Sequence, residues 1–203
     1  MGTLLYYLLT FAEAGLGVFG IRTPYEQPPY AVMERLPGGV EVRDYAARAA
    51  VETDDPGGGS AAFQRLFRYI TGANTAQAKV AMTVPVAQTG ARVAMTVPVQ
   101  SGSGAMRFFL PAAVAKAGAP VPTDPLVRIV TVPAERLAVR RFSGIADPAA
   151  VAAQTRLLLE ALARAGRPTE GTPILLTYDP PFALPFLRRN EVAVRLGPAG
   201  PAS

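Results

Sequence analysis

The sequence predicts an α+β domain: one mostly antiparallel sheet, curved or closed on itself, with two helices packed on it. Three observations predict it. Short segments of alternating apolar and polar residues recur along the chain, bounded by Pro and Gly. Two longer stretches change to helical spacing, with apolar residues three and four apart. The order strand, strand, helix, further strands occurs once in each half, which suggests an internal duplication.

Residues 1–22 form an apolar segment, interrupted at Glu13, in which Leu4, Leu5, Leu8, Leu9, Ala12 and Leu16 fall on one helical stripe. Ala12-Glu13-Ala14 is similar to a small-residue cleavage site, but no basic residues lead the segment and the uninterrupted run is short for a bilayer. The readings are a helix packed on the body or lying at a membrane surface, a degenerate signal or anchor, or a disordered segment. Residues 23–29 read as a proline-rich linker, 30–197 as the domain and 198–203 as a disordered tail.

Within the domain, 30–36 and 40–51 read as strands joined at Pro37-Gly38-Gly39. Ser60 can cap a helix whose stripe is Phe63, Leu66, Phe67 and Ile70, at i, i+3, i+4 and i+7, and Gly72 can end it. Then "KVAMTVPV" (79–86) returns almost unchanged as "RVAMTVPV" (92–99). Each copy alternates like a strand, and the intervening Gln88-Thr89-Gly90-Ala91 suits a hairpin. Pro85 and Pro98 cannot donate to a ladder, which puts each at a strand end, edge or bulge. Residues 106–110 read as a strand and "PAAVAKAGAPVPTDP" as a loop. Strands follow at 127–132 and 136–142. Asp147 can cap a second helix with Pro148 at its first position; Val151, Leu158 and Leu162 mark its apolar side and Gly166 its end. Residues 174–178 and 191–196 close the sheet.

Composition narrows the chemistry. Half of the 203 residues are hydrophobic and 17% are charged, a globular balance. Cys and His are absent, which excludes disulfides, thiolate chemistry, His-ligated metals and a Ser-His-Asp triad. The net charge of +5 rests on arginine, since Lys79 and Lys116 are the only lysines. Arginine suits planar contact with carboxylate or phosphate. The basic residues are dispersed and no nucleic-acid motif accompanies them, so nucleic acid is not an expected partner. No pair of carboxylates has a catalytic spacing, and an enzyme is not expected.

"VEVRDYAARAAVET", "FQRLFRYITGAN", "KVAMTVPV" and "YDPPFALPFLRRNEVAV" resemble, in order and spacing, the SOUL/haem-binding protein family over roughly residues 29–196. The resemblance implies a distorted antiparallel β-barrel with two helices and pseudo-two-fold symmetry. It implies binding of haem or a related tetrapyrrole, non-covalently, for carriage, buffering or sensing, with no reaction attached. Haem is an apolar disc with two carboxylates on one edge. Phe63, Phe67 and Ile70 can cover a ring face, and Arg65 and Arg68 can meet the propionates. The family's aromatic-then-basic position aligns with Phe67-Arg68. Its second position falls at Leu184, where some relatives carry a lysine, so that contact is lost here. The same apolar residues also read as an ordinary core face, and the arginines as a solvated one.

The iron has no obvious ligand. Where some relatives place a histidine in "EVR-x-Y", this chain has Asp44. Tyr45, Tyr69, Met82 and Met95 are the remaining candidates, and both methionines also read as flexible core. For Arg188, Arg189, Asn190 and Glu191 the expected task is structural, with Glu191 paired to an arginine across the sheet. Two rivals stand beside haem binding. One is an effector-binding, regulatory domain for another small apolar ligand, acting through a partner protein. The other is a membrane-associated structural protein, in peripheral contact through residues 1–20. Oligomeric state is not legible.

Overall fold

The computed structural model describes residues 26–55, 60–80, 85–89, 104–179 and 183–197. In chain order the elements are β1 (Tyr30–Leu36), β2 (Val40–Tyr45), β3 (Arg48–Asp54), α1 (Ser60–Ile70), β4 (Val86–Thr89), β5 (Ala105–Phe109), α2 (Ala112–Ala117), β6 (Arg128–Val132), β7 (Glu135–Phe142), α3 (Pro148–Arg164), β8 (Thr169–Thr177), a 3-10 turn (Pro185–Leu187) and β9 (Asn190–Leu196). The fold is α+β, as expected.

The nine strands form one antiparallel sheet in the order β1-β2-β7-β9-β8-β4-β5-β3-β6. It is not closed, which corrects the barrel expectation. Among the described residues β1 pairs only with β2 and β6 only with β3, so each leaves an edge. A bulge between Val32 and Glu34 interrupts the regular edge of β1, a common guard against further pairing. The sheet is strongly curved all the same. Arg48 of β3 pairs with Glu135 of β7, five places away in the strand order, and its guanidinium lies 4.3 Å over the Tyr45 ring of β2. Tyr45, Ala50, Phe109, Val132, Leu137 and Leu176 accordingly share one inner core.

Exchanging β2, β7, β9 and β8 for β6, β3, β5 and β4 leaves the order of these eight strands unchanged. This is a match of topology, and a duplication of sequence is not shown by it.

Alternation assigns the outer face to the helices. Val40, Ala138, Leu175, Val192 and Val194 pack against Val151, Leu158 and Leu162 of α3. Burial of each of these Val and Leu side chains contributes about 1.5–3 kcal/mol. Asp147 caps α3, its Oδ1 accepting the Ala150 amide at 2.8 Å, and Pro148 stands at the first position. Gly166, at φ 62°, takes the left-handed turn that ends it. The other half of the outer face presents Val51, Met106 and Phe108 to α1.

Two sequence expectations fail locally. The strand expected over 40–51 is two strands, broken at Ala46-Ala47, because β2 pairs with β7 while β3 pairs with β5 and β6. The segment "AAVAKA", expected as loop, is a third helix, α2. Most of the expected tandem hairpin, including Pro98, lies outside the described residues; Pro85 directly precedes β4, at a strand end. Residues 1–22 also lie outside them. Among the described residues no helix is long and apolar enough to cross a membrane.

Candidate functional site

α1 shows what its residues do. Its core stripe is Ala62, Leu66, Tyr69 and Ile70, all buried. The expected stripe through Phe63 and Phe67 is therefore rotated. Tyr69 takes a core place, its hydroxyl donating to the Pro120 carbonyl at 2.9 Å. Phe63 and Phe67, one turn apart, lie on the flank instead. Phe63 is half-buried and meets the buried Phe108 edge-on, with ring centroids 5.3 Å apart. Phe67 stacks on Phe63 at 5.9 Å and 13° and is 45% exposed. Three rings thus run from the core to the surface, ending in an open aromatic face.

Arg65 and Arg68 converge on Asp124, at 3.8 and 3.5 Å. Arg65 is also fixed from below, donating to Thr53 Oγ1 at 3.0 Å. Arg68 is 64% exposed. Ile70 is buried among Leu66, Val80 and Leu110, so its part is core and not surface. Met82 and Met95 lie outside the described residues. Leu184 is half-buried just before the 3-10 turn. That turn is tied to Gly144, whose amide donates to the Pro185 carbonyl at 2.9 Å, whereas α1 packs on β3 and β5. No described contact brings Leu184 to the α1 face.

The family-like motifs are held together structurally. After α1, Gly72 adopts φ 123°. The buried Asn74 then donates to the carbonyls of Tyr69 and Ala78 and accepts the Ala78 amide, closing the "GAN" turn. In "YDPP" and "RRNEV", Asp179 accepts the Arg189 amide at 2.6 Å and Asn190 donates to the Gly144 carbonyl at 3.0 Å.

Glu191, 0% exposed, receives Arg43 of β2 at 2.9 and 3.2 Å, Arg189 at 3.0 and 2.7 Å, and the Tyr178 hydroxyl at 2.6 Å. Burial alone would raise the Glu191 carboxyl. Hydrogen bonding and charge from Arg43, then Arg189 and the Tyr178 hydroxyl, outweigh it and hold the pKa below the ordinary value. Burial and the neighbouring Glu191 push the Tyr178 hydroxyl far above its usual range. The arginine across the sheet expected for Glu191 is Arg43.

Among the described residues, none of the side chains expected as candidates for an iron is placed as a ligand. Tyr69 spends its hydroxyl on Pro120, and Tyr45 is buried beneath Arg43 and Arg48. Burial raises both phenols, which disfavours a phenolate ligand. Asp44 is bound by Arg136 at 2.5 and 2.7 Å. Among the described residues no cluster of acidic side chains could hold a metal ion.

The family described as SOUL heme-binding protein matches residues 25–195. The chain belongs to this family. Membership suggests haem or tetrapyrrole binding as the function class. No curated protein matches the sequence. Among solved structures, the SOUL chain is similar to the C-terminal domain of EcmrR at 9% identity and TM-score 0.52, covering 78% of this chain and 96% of that one. An uncharacterized conserved protein from Listeria innocua matches at 10% identity and TM-score 0.56, covering 78% and 92%. A hydrolase from Listeria innocua matches at 10% and 0.55, covering 83% and 94%. At such identities these likenesses show the fold alone.

Proposed function

We propose that this SOUL protein binds haem or a related tetrapyrrole against the flank of α1, with Phe63 and Phe67 covering a ring face and Arg65 and Arg68 at the propionate edge. The observation that supports this reading best is the Phe108–Phe63–Phe67 stack. Its outermost ring, Phe67, keeps 45% of its surface in water, next in sequence to the exposed Arg68. Burying such a face under a flat apolar ligand returns about 25 cal/mol per Å² of apolar area removed from water. Ring burial and charge at the edge supply the affinity, without a strong axial ligand. Met82 and Met95 belong to the proposal as further apolar lining, and Leu184 as a lost contact. The role is carriage, buffering or sensing, and not catalysis.

The experiment is a comparison of hemin affinities. Phe67→Asp puts a charge on the ring face and weakens binding at least tenfold. Arg68→Ala removes one edge contact and weakens it about threefold, in line with an exposed ion pair worth less than 1 kcal/mol. Equal affinity in wild type and both variants would remove the site from this helix.

The second reading is a regulatory, effector-binding domain, favoured by the shared fold with the EcmrR C-terminal domain. An apolar cation is a poor match to the inner face, because Glu191 is already neutralised by two arginines. A thermal-shift screen separates the readings: stabilisation by an apolar cation above that by hemin supports the regulatory domain.

A further inference from the structure

The inner face of the sheet carries a second feature, far from α1 and built by alternation. Glu41 and Arg43 of β2, Val139 and Arg141 of β7 and Glu191 of β9 point the same way. β1 pairs with β2 at the sheet edge, the chain turning back through Gly38 and Gly39 at φ 81° and 71°, and Tyr30 and Arg35, opposite Tyr45 and Glu41, face the same side. A pocket of about 360 Å³ lies between, lined by Tyr30, Leu36, Val40 and Val139, with Arg35, Arg43, Arg141 and Arg189 around it. That volume is within the range that holds small organic ligands, about 300–1,000 Å³.

Its charge is unbalanced. Four guanidinium groups face Glu41 and the adjoining Glu191, a surplus of two positive charges. Arg43 and Arg189 are committed to Glu191, and Arg35 reaches Glu41 at 3.0 Å. Arg141 is exposed and, among the described residues, has no ion pair or side-chain hydrogen bond. The Tyr30 ring is held in place by Tyr45 at 5.3 Å and by the Arg43 guanidinium at 4.3 Å. The pocket thus joins a fixed aromatic wall, the inner-face Val139 and an arginine with unused donors.

We propose that this pocket is a binding site for a small organic dianion, a dicarboxylate or a phosphomonoester. Arg141 and Arg35 take the oxyanion groups, and Tyr30 and Val139 cover the carbon skeleton. Arg43 and Arg189 contribute field but not contact, because Glu191 holds them. The site lies on the opposite face of the sheet from the tetrapyrrole site and does not depend on it.

The test is calorimetric titration of the full chain with glutarate and with phenyl phosphate at low ionic strength. The expected result is one saturable site for at least one probe, weakened severalfold by raising the salt concentration. Tighter phenyl phosphate binding assigns the site to phosphomonoesters, and tighter glutarate binding to dicarboxylates. Arg141→Gln should weaken the preferred probe at least tenfold, and Arg141→Lys less. Arg156→Gln, an exposed arginine on α3, and Phe67→Asp should leave it unchanged. Circular dichroism checks that each variant is folded. No saturable binding of either probe, or equal weakening by Arg141→Gln and Arg156→Gln, would overturn the proposal.

Discussion

Replacing Glu191 by alanine should be among the most damaging single changes to this protein. The side chain is 0% exposed and takes five hydrogen bonds, four from guanidinium groups and one from a phenol. Without it, Arg43, only 4% exposed, keeps Glu41, but Arg189 and the Tyr178 hydroxyl lose their carboxylate. Removing one partner of a buried pair costs about 3–5 kcal/mol, because the other charge stays desolvated. With a urea m-value of about 2 kcal/mol/M, the midpoint should fall by about 1.5–2.5 M at unchanged m. A double-mutant cycle sharpens the test. Glu191→Leu with Arg43→Met replaces the ion pair by apolar groups, so the double variant should be more stable than the sum of the single losses predicts, by about 1–3 kcal/mol. Additive losses, or a midpoint shift below about 0.3 M for Glu191→Ala, would refute the view that this carboxylate ties β2, β9 and Tyr178, just after β8, together.

Further outcomes follow from the same contacts. Burial works to raise the Glu191 carboxyl, but Arg43 and Arg189 hold its pKa below 4.5. Its contribution to stability is therefore complete above pH 4.5 and is lost as pH falls through the lower folded value. In that window the unfolded chain binds more protons, so stability rises with pH, and Glu191→Gln should flatten the slope of unfolding free energy below pH 4.5. Asp147→Ala removes the cap of α3 and should cost about 1 kcal/mol in urea unfolding. Tyr69→Phe leaves the Pro120 carbonyl without its donor and should cost about 1–2 kcal/mol while leaving hemin affinity unchanged.

The sequence made legible what is local. The Asp147-Pro148 start and Gly166 end of α3, the Gly38-Gly39 turn and the strand alternation all act within a few residues, and the structure places each as read. The break at Ala46-Ala47 has no Gly or Pro to mark it; it exists because two distant partners claim the two halves of that segment. α2 was hidden because its six residues, between Pro111 and Gly118, are too few to show a period, although alanine favours helix. On α1 the period was legible but its phase was not. Tyr69 takes a core place with a hydroxyl partner 51 residues away, while Phe67 stays 45% exposed. The arginine pocket was also missed, since its members come from β1, β2, β7 and the entry to β9. A sign was present: Glu41, Arg43, Arg141 and Glu191 are charged at positions where strand alternation leads to the inner face.

The most direct test of the tetrapyrrole reading is an absorption titration of hemin into the wild-type chain and into Phe67→Asp, Tyr45→Phe and Tyr69→Phe. The account predicts a Soret shift that saturates at one hemin per chain. It should be weakened at least tenfold in Phe67→Asp and keep its band position in both tyrosine variants, since neither phenol reaches the iron. A linear response without saturation, equal to that of an unrelated basic protein, would contradict it.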